Sequence, residues 1–307
     1  MIKTPTTFII GAGASCGYGL PTGVRLLEMA RELGARSNVY QLLLACSFTT
    51  DELETFISEL RRVPVMSLDS FLEKRQHRPE TIKVGRGIIA GLMGQVVSEP
   101  RNVEQSSADE WWPYVFERMH RGAATGDAFV SGNQQLRFVT FNFDTFIEEH
   151  LARDVHLMFG FSHRDVLEML KTIPVIHVHG RLPNMPPVPL THDTVNGVPT
   201  KWCEWLLAAA AQINVVLDPI SAEVVETARA AVRNAQVICF LGLAYDRTNL
   251  ERLGFPDVVQ PDMYGSAFGL SDGEKQSVNG WLRAQIHLGT QEQRCVDVLR
   301  QFRIFRD

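Results

Sequence analysis

Four short apolar runs punctuate the chain: Thr7–Ile10, Arg137–Phe141, Val175–Val178 and Val237–Leu241. Each is rich in β-branched or aromatic residues and is soon followed by Gly, Asn or Asp. Unbroken rather than alternating hydrophobicity is the pattern of strands covered on both faces, as in a parallel sheet. Between these runs the apolar spacing becomes helical. Over Thr22–Ala35 it falls at Val24, Leu27, Ala30 and Leu33. Asp51–Arg62 opens with Asp51 and Glu54, like a capping box, and gathers Leu53, Phe56, Ile57 and Leu60 on one face. Ser221–Ala235 is alanine-rich and amphipathic, and leads into the fourth run. Alternating strands and helices predict an α/β fold, a Rossmann-like parallel sheet with helices on both faces. Residues 41–120 are mainly helical in pattern and are expected to form an insertion or cap within one domain spanning 1–307. Ser98–Glu110 and the proline-rich Pro183–Gly197 read as loops, the second either a lid or a plain surface connection.

Composition narrows the function classes. With 307 residues, 45% of them hydrophobic and 21% charged, the chain can bury a sizeable core. A net charge of -5 lacks the broad basic field of a nucleic-acid binder, which argues against direct nucleic-acid binding. Five scattered cysteines include no C-x-x-C pair, so no zinc ribbon is expected, and Met1–Thr7 has no signal-peptide pattern; together these suggest a reducing, cytoplasmic setting. The longest apolar candidate, Trp205–Val216, is too short to span a membrane.

Each strand-like run delivers polar residues to its end. The first leads into Gly11-Ala12-Gly13-Ala14-Ser15, then Gly19-Leu20-Pro21-Thr22. Glycines let a backbone approach a pyrophosphate, and free N–H groups at a turn or helix start bind its oxygens. The dinucleotide spacing G-x-G-x-x-G is not met, because Cys16 occupies the third glycine position. An ordinary tight strand-to-helix turn explains this loop nearly as well. The second run delivers Asn142 and Asp144 to the sheet edge where open α/β folds bind ligands. Asp144 or Thr145 serves equally well as a helix cap, whereas Asn142 precedes the cap position and needs another reason. The third run carries His177 and His179, which share a face if both lie on the strand. No acidic or cysteine partner is evident beside them for a metal site; His177 reads as a core histidine and His179 as a candidate general base. The fourth run ends at Gly242, followed by Asp246 and Asn249, which suit ribose or adenine, although Asp246 or Thr248 as the cap of a short helix at Asn249–Leu253 is the readier explanation taken alone.

Taken in this order, the motifs resemble the sirtuin superfamily. Gly11–Ser15 with Gly19-Leu20-Pro21 is similar to its Gly-Ala-Gly-x-Ser … Gly-Ile-Pro segment, Phe141-Asn142-Phe143-Asp144 to its Gln-Asn-Ile-Asp, and His179-Gly180 to its catalytic His-Gly pair. Gly242-Leu243-Ala244 stands where the family has Gly-Thr-Ser, and the stretches 264–270 and 295–302 resemble the divergent bacterial branch that includes NAD hydrolases of anti-phage defence. Two departures matter. The four zinc cysteines of the deacylases are missing, and their Phe-Arg is replaced by Thr22-Gly23.

The resemblance implies NAD as substrate and cleavage of its nicotinamide–ribose bond, with no metal. It implies catalytic roles for Asn142 and His179, and NAD contacts at Gly11, Ala12, Gly13, Ser15, Pro21, Thr22, Asp144, Gly242, Asp246 and Asn249. It also implies restraint of the activity, by self-assembly into a homo-oligomer or by a separate regulatory protein such as a DNA-translocating ATPase. A sensor that binds NAD or ADP-ribose without turnover is one alternative. NAD-dependent deacylation or ADP-ribosylation of a protein is another.

Overall fold

The computed structural model describes residues 1–98, 109–184, 194–195, 198–214, 220–258, 261–283, 286–302 and 304–305. The chain opens with β1 (Thr6–Ile10) and a 3-10 turn (Ala12–Tyr18). Helices α1 (Gly23–Glu32), α2 (Asn38–Ala45), α3 (Thr50–Arg62), α4 (Leu68–Glu73), α5 (Pro79–Ser98), α6 (Trp112–His120) and α7 (Gly126–Gly132) follow. Next come β2 (Leu136–Thr140), α8 (Phe146–Phe159), α9 (His163–Thr172) and β3 (Val175–His177). A small hairpin, β4 (Thr194–Val195) and β5 (Val198–Pro199), precedes α10 (Thr200–Gln212) and α11 (Ala222–Arg233). The last elements are β6 (Val237–Leu241), α12 (Arg247–Arg252), β7 (Asp262–Gly265), α13 (Asp272–Trp281), β8 (Ile286–Leu288) and α14 (Cys295–Gln301).

Six strands form one parallel sheet in the order β3-β2-β1-β6-β7-β8, an α/β, Rossmann-like arrangement with helices around it. The four apolar runs are its strands β1, β2, β3 and β6. β7 and β8 are short, and among their residues only Met263, Gly265 and Ile286 are buried, so neither has the continuous apolar signal of a central strand. Register sorts the side chains into two layers. Ile9, Val139, Ile176 and Phe240 align across the sheet and pack with Ala228, Val232, Leu250 and Leu282 from the helices on that face. On the other face Phe8 stacks on Phe138 with ring centroids 5.5 Å apart, and Trp111 covers Phe8 at 6.3 Å. Burying such large rings is the main driving force for closing this layer.

The chain divides into two compact units. The sheet unit comprises Met1–Tyr18, Gln105–Val178 and Ile220–Asp307. The helical unit comprises Gly19–Glu104 and His179–Pro219. Helices α1–α5 and α10 belong to the helical unit, and α6 and α7 to the sheet unit. Within the helical unit α5 is the central helix. Its Gly87 and Gly91 meet Phe48 and Val39, and Gly94 meets the Trp205 ring of α10, so close that a Cβ at any of the three would lie within 2.7 Å of a neighbour.

Several local expectations change in the structure. Val24 is exposed, and α1 buries Leu26, Leu27 and Ala30 instead, with Thr22 as its cap. The capping box of α3 is Thr49 with Glu52, not Asp51 with Glu54: the Thr49 hydroxyl accepts from Glu52 N–H while the carboxylate accepts from Thr49 N–H. Leu53, Phe56, Ile57 and Leu60 are buried together as expected. Part of the Pro183–Gly197 loop forms β4, while its residues 185–193 and 196–197, like 99–108 of the Ser98–Glu110 loop, lie outside the described residues. No described helix is long and apolar enough to cross a membrane.

Candidate functional site

In the order β3-β2-β1-β6-β7-β8, the chain runs outward from β1 in one direction and from β6 in the other. The carboxyl ends of β1 and β6 therefore flank the switch point, where open α/β sheets bind ligands. Gly11 follows β1 there and Gly242 follows β6.

These two loops are in backbone contact. Gly11 N–H donates to Leu241 O (2.9 Å) and Gly13 N–H to Gly242 O (2.9 Å). Gly242 N–H donates to Ser266 Oγ at 2.8 Å. Gly242 adopts φ +64°, and a Cβ on it would lie 1.9 Å from Ala14 N. A Cβ on Gly11 would lie 2.6 Å from Gly242 O. The glycines are thus required by the approach of one loop to the other. The N–H groups of Gly11, Gly13 and Ala14 all donate to protein carbonyls, the last to Gly11 O, and so are not spare donors for a pyrophosphate. The Trp111 indole N–H donates to Ala14 O at 2.8 Å and pins the turn from below.

Beside this turn lies a buried polar cluster. Ser15 Oγ donates to Asp144 Oδ2 (3.2 Å) and accepts from Asn142 Nδ2 (3.1 Å). The other Asp144 oxygen accepts from Phe146 N–H at 3.1 Å, so this carboxyl holds the first residue of α8 and joins the cluster at once. Asn142 N–H donates to Thr140 Oγ1 at 3.0 Å, which orients the residue as it leaves β2. Among the described residues Asn142 bonds through its N–H and Nδ2, with no hydrogen bond to Oδ1. All three side chains are nearly excluded from water. Burial raises the Asp144 pKa above the ordinary aspartate value, against the opposing effects of Phe146 N–H, His177 and Ser15.

His177 closes the cluster from β3. Its Nδ1 is 3.0 Å from Asn142 O and its Nε2 is 2.9 Å from Glu148 Oε1. Its side chain is only 7% exposed, and its acidic partner Glu148 lies in the first turn of α8.

The other expected site residues belong to other elements. β3 ends at His177, so His179 is not on the strand: it occupies the turn that begins the second segment of the helical unit, where it is buried and its carbonyl accepts from Asn214 N–H at 2.9 Å. Gly180 follows with φ +89°. Pro21 and Thr22 also belong to the helical unit, and the Thr22 hydroxyl caps α1 by accepting from Arg25 N–H. Asp246 caps α12, its Oδ1 accepting from Asn249 N–H at 3.0 Å, and that helix starts at Arg247 rather than Asn249. Near it a cavity of about 170 Å³ opens beside Arg247 and Trp281. Among the described residues no group of three or more His, Cys, Asp or Glu is placed to hold a metal ion.

Compared with known proteins, the chain matches no family model, no curated protein and no solved structure.

Proposed function

We propose that the chain binds NAD at the β1/β6 switch point and cleaves its nicotinamide–ribose bond, releasing nicotinamide and ADP-ribose, in the manner of a divergent sirtuin-like NAD hydrolase. The observation that carries this reading is the Ser15–Asn142–Asp144 cluster. Three residues from two separate motifs, chosen for their resemblance to NAD-contacting positions, are joined by hydrogen bonds at the sheet edge where α/β folds take nucleotides. An ordinary tight turn explains the glycines but not a buried asparagine whose carbonyl oxygen is left as an acceptor.

Nicotinamide attached to ribose already carries positive charge, so its departure needs no strong acid. The barrier lies in the developing oxocarbenium-like sugar and in the delivery of water. Asn142 Nδ2 is held by Ser15, so its Oδ1 accepts from a ribose hydroxyl or from the attacking water. Asp144, its pKa raised by burial, is suited to donate to the carboxamide of the nicotinamide end when protonated. His179 accepts a proton from water or a ribose hydroxyl, a role worth roughly 10²–10⁴-fold. Gly242 keeps the two loops close enough to build this edge. The biological setting that goes with this reading is anti-phage defence, with the activity restrained by self-association or by a separate protein such as a DNA-translocating ATPase.

Nicotinamide release from NAD is the test. Asn142→Ala and His179→Ala are each expected to lower it by roughly 10²-fold or more. Wild-type release from both variants sinks the assignment of these residues. Saturable NAD binding with no release, by the chain alone or with its partner, would instead support a sensor.

A further inference from the structure

The imidazole of His177 faces two acceptors. Asn142 O, a main-chain carbonyl 3.0 Å from Nδ1, can only accept, so Nδ1 carries a hydrogen. That leaves a neutral ring with a bare lone pair on Nε2, opposite a carboxyl oxygen of Glu148 at 2.9 Å. Two lone pairs do not hold such a contact. A second proton therefore lies between Nε2 and Oε1, on the ring or on the carboxyl. The contact is buried, with His177 and Glu148 side chains 7% and 12% exposed. Asp144 also interacts with His177 electrostatically.

The acceptor that His177 engages is the carbonyl of Asn142, on the peptide leading into Phe143. Thr140 Oγ1 already holds the N–H of the same residue. With both main-chain groups held, the Asn142 Cα–Cβ bond is aimed, and its side-chain amide donates to Ser15 Oγ.

We propose that His177 and Glu148 are a positioning pair for Asn142, with a proton shared across their contact and the opposite ring nitrogen tied to the Asn142 carbonyl. Neither touches the reacting atoms; both act through Asn142. The effect on turnover rests on the NAD-cleaving reading above, but the hydrogen-bond arrangement does not.

The experiment therefore has two arms on the full chain. The first uses ¹⁵N-labelled histidine and asparagine without any ligand. Both ring nitrogens of His177 are expected in the protonated or proton-sharing range in wild type, and Nε2 as a bare acceptor in Glu148→Gln, whose amide can donate to it. The side-chain amide of Asn142, assigned by its loss in Asn142→Asp, is expected to move toward the position of a free amide in Glu148→Ala and to stay near wild type in Glu148→Gln. A bare His177 nitrogen in wild type, or an Asn142 amide unmoved in folded Glu148→Ala, overturns the proposal. The second arm measures nicotinamide release. Glu148→Ala is expected to lower kcat by roughly 10- to 100-fold with KM for NAD little changed, and Glu148→Gln to restore most of it. A loss confined to KM overturns the positioning role. An absence of release from wild type, with the first arm as expected, counts against NAD cleavage and leaves the pair standing.

Discussion

At the scale of single residues, Asp144 shows how two readings of one side chain hold together. The sequence offered it as a helix cap or as a ligand contact, and the carboxyl both accepts from Phe146 N–H and joins Ser15. Its raised pKa has a consequence for stability. In the unfolded chain the carboxyl ionises near the ordinary value of about 3.9. In the folded protein it keeps its proton to higher pH. Stability from this group is thus complete below the unfolded pKa and is lost as pH rises through the folded one. Unfolding of wild type and Asp144→Asn across that range is expected to show wild type losing ground to the variant as pH rises from about 4. Parallel stability profiles would contradict it. Glu148 was missed because its partner His177 lies on another element, and neither the strand pattern nor the helix pattern links the two. His179 was expected on the strand because Val178 extends the apolar run. Val178 does donate to Thr140 O, but β2 ends at Thr140, which leaves His179 no strand to pair with.

At the scale of elements, the four central runs were legible because strands buried on both faces leave an unbroken apolar signal. β7 and β8 were not, being short and only partly buried. Helix starts were less legible than helix faces. Thr49, Asp51 and Glu54 all suit a helix start, and only the geometry selects Thr49 with Glu52. Thr49→Ala is expected to lower stability by about 1 kcal/mol, measured by denaturant unfolding, through loss of that cap. The glycine loop was legible as a strand-to-turn junction but not in its purpose. Composition cannot distinguish a glycine that admits a ligand from one that admits another loop. Gly11, Gly13 and Gly242 are in the second class by their contacts. Gly242→Ala combines a left-handed φ with a Cβ driven into Ala14 N, and is expected to destabilise by about 2–5 kcal/mol in the same measurement. A variant within about 0.5 kcal/mol of wild type, the range of ordinary surface changes, would mean that the loops separate easily.

At the scale of the whole molecule, helical spacing over 41–120 pointed to an added helical part, but not to its assembly from two stretches of chain. A segment such as α10 reads locally as one more amphipathic helix. Only its packing against α5 assigns it to the unit that begins at Gly19. The chain leaves the sheet unit after Tyr18, three residues beyond Ser15, and again after Val178, immediately before His179. Direct titration of the full chain with NAD tests the central claim, with His179→Ala used to slow turnover. A single saturable site per chain is expected, with Ser15→Ala weakening it about tenfold because Asn142 and Asp144 lose the hydroxyl that holds them. No saturable binding of NAD, or wild-type affinity in both Ser15→Ala and Asn142→Ala, would contradict a site at the β1/β6 switch point.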